Sequence, residues 1–254
     1  MAKWLVAALA LAQLAAPANA ADPVPVPPGM SDAPCPAPVA GQFALDPHIL
    51  QTDWAWQCRY RAENAALDPA HPPRVVFIGD SITENWLHAD PDFFAQGNLD
   101  RGISGQTSPQ LLVRFWQDVV ALHPRVVHII VGTNDIAGNT GPTSPEAYKN
   151  AVRAMVDIAR ANHIAVILGS IPPSAAFGWQ PAVKPAPWIA SQNQWLKDYA
   201  KERGLVFADY HSALAGPVGE LPTEFGPDGV HPNPAGYAIM RGVAERAIAE
   251  ADPQ

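Results

Sequence analysis

The chain of 254 residues has few charged side chains, and only its first twenty residues contain a long apolar run. Charged residues make up 16% of the sequence and prolines number 28, which indicates many fixed loops rather than disorder caused by charge repulsion. Without Lys3, which lies in that apolar N-terminal segment, 15 basic and 24 acidic residues remain, a net charge of −9. Such a surface repels phosphate backbones and anionic membrane surfaces, so we expect no nucleic-acid partner.

Cysteine is also scarce, with only Cys35 and Cys58 present. In an exported protein these two can form a disulfide that closes a loop of 24 residues, which stabilises a fold by about 3 kcal/mol in the loop-entropy model. The alternative is a pair of free thiols. Neither cysteine follows a predicted strand, which disfavours a cysteine nucleophile.

Several common signatures are missing from the chain. It contains neither the zinc motif H-E-x-x-H nor the nucleophile elbow G-x-S-x-G, and its eight histidines are scattered. A metal-dependent hydrolase is therefore disfavoured. No repeat of fixed period is present either, which argues against a solenoid or propeller.

The first 20 residues have the pattern of an export signal. Lys3 supplies a positive start, residues 4–16 are apolar, and Ala18-Asn19-Ala20 is a small-x-small cleavage site. A membrane anchor is the alternative, but the apolar run is shorter than the ~20 residues that span a bilayer. We expect a mature protein that begins near Ala21, has no membrane span, and is periplasmic or extracellular.

Composition divides the remainder into an N-terminal extension, residues 21–72, and a core domain, residues 73–254. The extension begins with a Pro/Ala-rich tail that reaches about residue 38. It continues with residues 48–67, whose Trp54, Cys58, Tyr60 and Leu67 predict a helix packed on the outside of the core domain.

In the core domain, short apolar runs rich in β-branched residues alternate with helical patterns. Strands are predicted at residues 74–78, 126–131, 164–168 and 205–208, with a weaker candidate at 98–103. Helices are predicted at 110–122, 147–162, 188–203 and 234–250. Near-continuous apolar strands are typical of a parallel sheet buried on both faces. The pattern predicts an α/β fold, a three-layer αβα sandwich with a parallel sheet of about five strands.

A serine and a D-x-x-H pair occupy positions suited to chemistry. Ser81 follows the first strand by three residues, at the sheet edge where reacting groups gather, although a helix N-cap serine is common at such a place. Asp228 precedes His231 by three residues in a Pro/Gly-rich loop before the last helix. The carboxylate can hold the ring through Nδ1–H and leave the other nitrogen to accept a hydroxyl proton. A turn aspartate beside a surface histidine is the alternative.

Two further groups could stabilise a developing oxyanion. Gly105 lies in the loop after the weaker strand, where its N–H can be open, and Asn134 follows the strand at 126–131 with a neutral amide donor. Simple turn or capping roles are the alternative for both. The order of these groups along the chain is a stronger indication than any one of them.

The blocks GDSIT, RGISGQT, GTND and DGVH resemble, in order and spacing, the four sequence blocks of the SGNH, or GDSL, hydrolases, over about residues 75–249. The sequence around Gly132 and at residues 168–172 is similar to that of the platelet-activating-factor acetylhydrolase-like branch of this family. The resemblance implies a flavodoxin-like fold without metal or cofactor. It also implies that Ser81 is the nucleophile, His231 its base and acid, and Asp228 the group that orients His231. The oxyanion hole would then consist of the N–H groups of Ser81 and Gly105 and the Asn134 amide.

The substrate is predicted from three tryptophans. Trp86 follows Ser81 by five residues, and Trp179 and Trp188 flank a Pro-rich segment. Aromatic walls with little charge suit a neutral acyl or sugar ester, although all three can be packing residues instead. We expect a secreted esterase for short acyl groups, such as acetyl groups on a polysaccharide. A lysophospholipase or thioesterase, and a non-catalytic carbohydrate-binding module, are the alternatives.

Overall fold

The computed structural model describes Cys35 and residues 43–252, and the predicted export signal lies outside the described residues. The described residues belong to one compact unit, so the described part of the extension packs with the core domain. None of the described helices combines the length and the apolar character that crossing a membrane requires.

The centre of the fold is a parallel five-stranded sheet. Its strands, in chain order, are β1 (Val75–Gly79), β2 (Asn98–Gly102), β3 (Val126–Ile130), β4 (Ala165–Gly169) and β5 (Val206–Ala208). In space the order is β2-β1-β3-β4-β5, and every neighbouring pair is parallel. The predicted sheet, including its weak second strand, is confirmed.

Helices cover both faces of this sheet. The extension supplies α1 (Pro47–Thr52) and α2 (Arg61–Ala65), and the core domain supplies α3 (Ser81–Ala89), α4 (Pro91–Phe94), α5 (Ser108–Asp118), α6 (Thr133–Ala137), α7 (Pro145–Ala161), α8 (Pro185–Arg203), α9 (Tyr210–Leu214) and α10 (Pro234–Ala251). Alternation along β1 separates two cores: Val76 and Ile78 pack with α5, α7 and α8, whereas Val75 and Phe77 pack with α3, α4, α9 and α10. This is the predicted three-layer αβα arrangement.

The predicted helix at residues 48–67 is wrong, because the structure has two short helices with turns between them. The Asp53 carboxylate accepts hydrogen bonds from the backbone N–H groups of Gln57 and Cys58, both at 2.8 Å. These two N–H groups thus bind a side chain instead of the backbone carbonyls of a helix. In addition, Trp56 adopts a positive φ of 49°. A continuous helix cannot pass through this turn.

The predicted helix at 110–122 is also shorter than expected. Helix α5 ends at Asp118, and a 3₁₀ turn, Val120–Leu122, continues the chain toward β3. At its start, Thr107 and Gln110 form a capping box, in which the Thr107 N–H donates to the Gln110 side chain at 3.0 Å.

Candidate active site

Ser81 lies where β1 ends and α3 begins, and it is not the helix cap. Asp80 performs that role, since its carboxylate accepts from the Ile82 N–H at 3.0 Å. Ser81 is the first residue of α3, so its own N–H has no acceptor within the helix. Both its hydroxyl and its N–H therefore remain available at the carboxyl edge of the sheet.

Two glycines allow this close junction between strands and helix. A Cβ atom on Gly79 would lie 2.7 Å from the carbonyl oxygen of Ile130, and one on Gly102 would lie 2.2 Å from the backbone nitrogen of Glu84. Because these obstacles are backbone atoms, no side-chain movement would relieve the clash. Glycine at both positions sets the distance between α3 and the strand ends.

Ser81, His231 and Asp228 form a continuous hydrogen-bonded chain. The Ser81 Oγ lies 2.9 Å from His231 Nε2, and His231 Nδ1 lies 2.7 Å from Asp228 Oδ2. The other carboxylate oxygen of Asp228 accepts from the backbone N–H groups of Val230 and His231, at 2.9 and 2.8 Å. Gly229, with a φ of 74°, permits the tight turn between them.

The electrostatics keep Asp228 ionised. Partial burial acts to raise the pKa of this carboxyl, but hydrogen bonds from the His231 ring and from two backbone N–H groups outweigh it, so the pKa lies below its ordinary value. Asp228 is therefore a carboxylate at neutral pH. The negative carboxylate beside Nδ1 favours the tautomer that carries its hydrogen on Nδ1. In this tautomer the other nitrogen, Nε2, is free to accept a proton.

Gly105 lies in a tight turn beside Ser81. The Gln106 N–H donates to the Ile103 carbonyl at 3.2 Å across the turn, and Gly105 has a φ of 84°, which favours glycine. Its N–H donates to no described residue. The Glu84 carboxylate on α3 accepts from the N–H and hydroxyl of Ser104, at 2.7 and 2.5 Å, and so holds the turn against α3.

A buried arginine supports the same turn from below. Arg114 is fully buried and donates to the Gln106 side chain at 2.6 Å, to Asp118 at 3.0 Å and to the Gly79 carbonyl at 3.0 Å. The arginine thus links the turn after β2 directly to the end of β1.

The Asn134 amide completes this side of the site. Its Nδ2 donates to the Gln106 carbonyl at 3.0 Å and lies 3.4 Å from an Asp80 oxygen. Its oxygen accepts from Asn139 at 2.7 Å, and the oxygen of Asn139 accepts from the Trp179 indole N–H at 3.0 Å. This chain of hydrogen bonds orients the amide so that its nitrogen faces Asp80 and the Gln106 carbonyl, and its oxygen faces Asn139.

Two buried acids near the site titrate abnormally. Burial raises the pKa of Asp80 to about 7, despite the hydrogen bond from Ile82 and the nearby His231, and burial raises that of Asp135 to about 6. Asp135 accepts from the N–H and hydroxyl of Ser108, so it anchors the start of α5. In GTND, the asparagine faces the cleft and the aspartate is structural.

The groups described above border a cleft of about 430 Å³. All five core-domain residues predicted for catalysis belong to this site. Ser81, Gly105, Asn134 and His231 line the cleft, and Asp228 lies behind His231. Its other described walls are uncharged and come from Phe43, Leu45, Asn85, Ser104, Asn139 and Trp179. The cleft therefore suits a neutral ligand.

The extension forms one wall of this cleft. The side chains of Phe43 and Leu45 pack against Gly105. A Cβ atom added to Gly105 would lie 2.8 Å from the Phe43 ring and 3.1 Å from Leu45. Ala44 between them is buried with Tyr60 and Ile103, which anchors the segment. Sequence reasoning missed Phe43 and Leu45, since the extension has no periodic pattern that predicts such a contact.

Of the three tryptophans predicted to bind substrate, only Trp179 lines the cleft. The prediction for Trp86 is wrong, because its ring is fully buried in the core between Phe77, Phe93 and Tyr237. Trp188 is 53% exposed and borders a separate cavity.

Cys35 and Cys58 are joined by a disulfide, with Cα atoms 5.4 Å apart. The bridge attaches Cys35 to the turn that precedes α2. Among the described residues, no three His, Cys, Asp or Glu side chains lie close enough together to hold a metal ion.

The fold and the sequence blocks define an ester hydrolase of the SGNH type. The profile of the GDSL-like lipase/acylhydrolase family matches residues 77–239, and the chain belongs to that family. No curated protein sequence matches it significantly.

Solved structures agree with this assignment. A protein from Bacteroides fragilis NCTC 9343, named as a candidate acylhydrolase, is 46% identical with a TM-score of 0.74, over 78% of this chain and 98% of that one. A candidate platelet activating factor from Streptococcus pneumoniae is 24% identical with a TM-score of 0.67, over 79% and 94%. A catalytic mutant of an acetylxylan esterase from Geobacillus stearothermophilus is 21% identical with a TM-score of 0.55, over 68% and 93%. The last two likenesses show the shared fold.

Proposed function

We propose that this protein is an exported serine esterase that removes short acyl groups, such as acetyl, from carbohydrate esters. The observation that carries the proposal is the chain from Ser81 Oγ to His231 Nε2, 2.9 Å, and from His231 Nδ1 to Asp228, 2.7 Å. These are hydrogen-bond distances suited to proton transfer from a nucleophile to a base that a third group orients.

In the first half of the proposed reaction, Ser81 Oγ attacks the ester carbonyl carbon and its proton passes to His231 Nε2. The bond to the alcohol oxygen then breaks, and His231 gives that proton to the departing alcohol. The acyl group remains on Ser81. In the second half, water attacks the acyl group, His231 accepts the water proton, and the proton returns to Ser81 Oγ as the carboxylic acid leaves.

The developing oxyanion is stabilised by the N–H groups of Ser81 and Gly105 and by the Asn134 amide. All three are neutral donors on positions that hydrogen bonds already hold in place, so they need little reorganisation during reaction. The second hydrogen of the Asn134 Nδ2, whose contact with Asp80 is long at 3.4 Å, is the one available to the oxyanion.

Two observations support a short acyl group and a neutral alcohol. Phe43 and Leu45 close the cleft beside Gly105, which leaves little room for a long chain on that side. The described walls carry no charge, which favours neutral esters over lysophospholipids with charged headgroups. A fold neighbour described as an acetylxylan esterase is consistent with this substrate class.

Export is supported by the N-terminal sequence and by the disulfide, because disulfides persist in oxidising compartments. We expect the N-terminus of the protein, expressed with its complete sequence in a bacterial host, to be Ala21 in the periplasm or medium. An intact N-terminus in the cytoplasmic fraction would refute export.

The nucleophile is tested with Ser81→Ala and a fluorophosphonate probe. Hydrolysis of p-nitrophenyl acetate should fall by about 10⁴- to 10⁶-fold, since removal of a nucleophile leaves only binding and oxyanion stabilisation. The probe should label the wild type at Ser81. Ser191→Ala, on the exposed surface of α8, is the matched control and should react normally. Labelling at any other serine would overturn the assignment.

A further inference from the structure

A second cavity, of about 460 Å³, lies beside the active-site cleft. Its volume is within the range of small-molecule sites, roughly 300–1,000 Å³. Its walls are mostly apolar or uncharged and include Ile136, Ser144, Tyr148, Val183, Trp188 and Gln192.

The cavity and the cleft share two structural elements. On α6, Asn134 lines the cleft while Ile136 lines the cavity. In the loop between β4 and α8, Trp179 lines the cleft while Val183 lines the cavity. These two elements therefore contribute walls to both the cleft and the cavity.

Gln192 gives this cavity an unsatisfied polar group. The residue is 5% exposed, and its amide makes no hydrogen bond with any described residue. Its Oε1 in particular is completely buried without a partner. Buried amides are almost always hydrogen-bonded, because losing water without a replacement is costly. The amide Nε2 also has no partner among the described residues but is not completely buried, so it is the atom to which a ligand oxygen in the cavity would bind.

Trp188 lies one helical turn before Gln192, on the same face of α8, and its side chain is 53% exposed. A large exposed ring beside a buried amide is suited to a sugar, whose C–H face packs on the ring while its hydroxyls bind the amide. Thr143 and Ser144 add hydroxyl groups to the cavity wall. Two charged residues also border the cavity: Lys184 is exposed, and the Asp135 carboxyl is bound to Ser108.

We propose that this cavity is a carbohydrate subsite, in which Trp188 and Gln192 bind a neutral sugar unit next to the acylated one. The subsite rests on the proposed function, because the sugar that occupies it would belong to the alcohol part of the ester. It would make the enzyme prefer acylated oligosaccharides over simple esters.

The experiment compares two substrates in full-length protein. Trp188→Ala and Gln192→Leu are assayed on acetylated xylo-oligosaccharides and on p-nitrophenyl acetate. The ratio of the two kcat/KM values should fall at least about tenfold, mainly through a higher KM for the oligosaccharide, as expected for lost ground-state binding. Trp116→Ala on α5 and Gln194→Leu on the exposed face of α8 are the controls, and their ratios should equal that of the wild type.

A binding measurement separates the subsite from the catalytic proposal. Unacetylated xylo- and cello-oligosaccharides are titrated into the protein by calorimetry, and saturable binding should weaken at least tenfold in both cavity variants but in neither control. Binding without hydrolysis of either ester would contradict the proposed function and leave the subsite supported. Absence of binding to both oligosaccharides, or an unchanged substrate ratio in both cavity variants, would overturn the subsite. Thermal melting of Gln192→Leu shows whether the variant remains folded.

Discussion

The Asp228 carboxylate binds both the side chain and the backbone of His231, three residues later. One oxygen lies 2.7 Å from Nδ1 and the other 2.8 Å from the backbone nitrogen. A single turn thus fixes the position and the orientation of the imidazole together. Because both contacts are local, the D-x-x-H spacing itself fixes how the His231 ring is held in this loop.

The Asp228→Asn variant tests this relationship through steady-state kinetics. Without the carboxylate, the His231 ring loses its orienting partner, and the imidazolium that forms in the transition state loses its counter-charge. We expect kcat to fall by as much as about 10⁴-fold, as for an orienting aspartate in other triads. A variant with the wild-type kcat would show that another carboxylate orients His231.

Asn134 and Asn139 should differ in the size of their effects. Asn134→Ala should lower kcat about 10²–10³-fold with a smaller change in KM, because the amide acts on charge that develops in the transition state. Asn139→Ala should lower kcat less, since Asn139 only orients Asn134 through its 2.7 Å hydrogen bond. Steady-state kinetics give kcat and KM for both variants. A normal kcat for Asn134→Ala would show that Asn134 is only a turn residue.

Phe43 should control acyl-chain length. Phe43→Ala removes the ring beside Gly105, so the ratio of kcat/KM for p-nitrophenyl hexanoate to that for the acetate should rise about tenfold or more. Val218→Ala, at a position 76% exposed and outside the cleft, is the control. The alternative outcome is that Phe43→Ala leaves the acyl-chain preference unchanged but alters the preference among acetate esters of different alcohols. That result would contradict the prediction and show that the ring contacts the alcohol part of the ester.

The Cys35–Cys58 bridge should stabilise the folded protein. The intact mass should be about 2 Da below the reduced value, the mass of two hydrogen atoms. Cys35→Ser with Cys58→Ser should lower the free energy of unfolding by about 3 kcal/mol, from the loop-entropy model. Quantitative thiol titration of the purified exported protein should detect no free cysteine; two reactive thiols would contradict the bridge.

Asp100 should make stability decrease with rising pH. Burial raises its pKa to about 7, with an opposing hydrogen bond from the Gly102 N–H. A carboxyl whose pKa is raised on folding stabilises the fold below its ordinary pKa near ~3.9, and that contribution is lost as the pH rises through about 7. Asp100→Asn should therefore reduce the fall in Tm between pH 5 and pH 8. A fall remains in the variant, because Asp80 and Asp135 act in the same direction.

The control for this prediction is Asp92→Asn, at an exposed position of α4. Its Tm should follow the wild-type curve at every pH. Parallel curves for Asp100→Asn and the wild type would show that Asp100 is ionised in the folded protein at pH 5.

The strands, the helices around them and the order of the polar groups could be predicted from the sequence because they depend on local patterns. Apolar runs indicated buried parallel strands, and the residues after β1, β2 and β3 necessarily meet at one sheet edge. Ser81, Gly105 and Asn134 were therefore found by position, and the D-x-x-H spacing identified His231. Each of these inferences uses neighbours in the chain or the geometry that all parallel sheets share.

Contacts between distant segments were decided only by the tertiary structure. Trp86, five residues after Ser81 on a helix, points about 140° away from it, and the rings of Phe77, Phe93 and Tyr237 that enclose it are brought together only by the fold. Phe43 reaches Gly105 because buried Ala44 and the Tyr60 region anchor an irregular segment. Gln192 lacks a partner only because of how α6, α7 and α8 pack around it. Local sequence thus determined which polar groups meet at Ser81, while long-range packing determined the walls of the cleft around them.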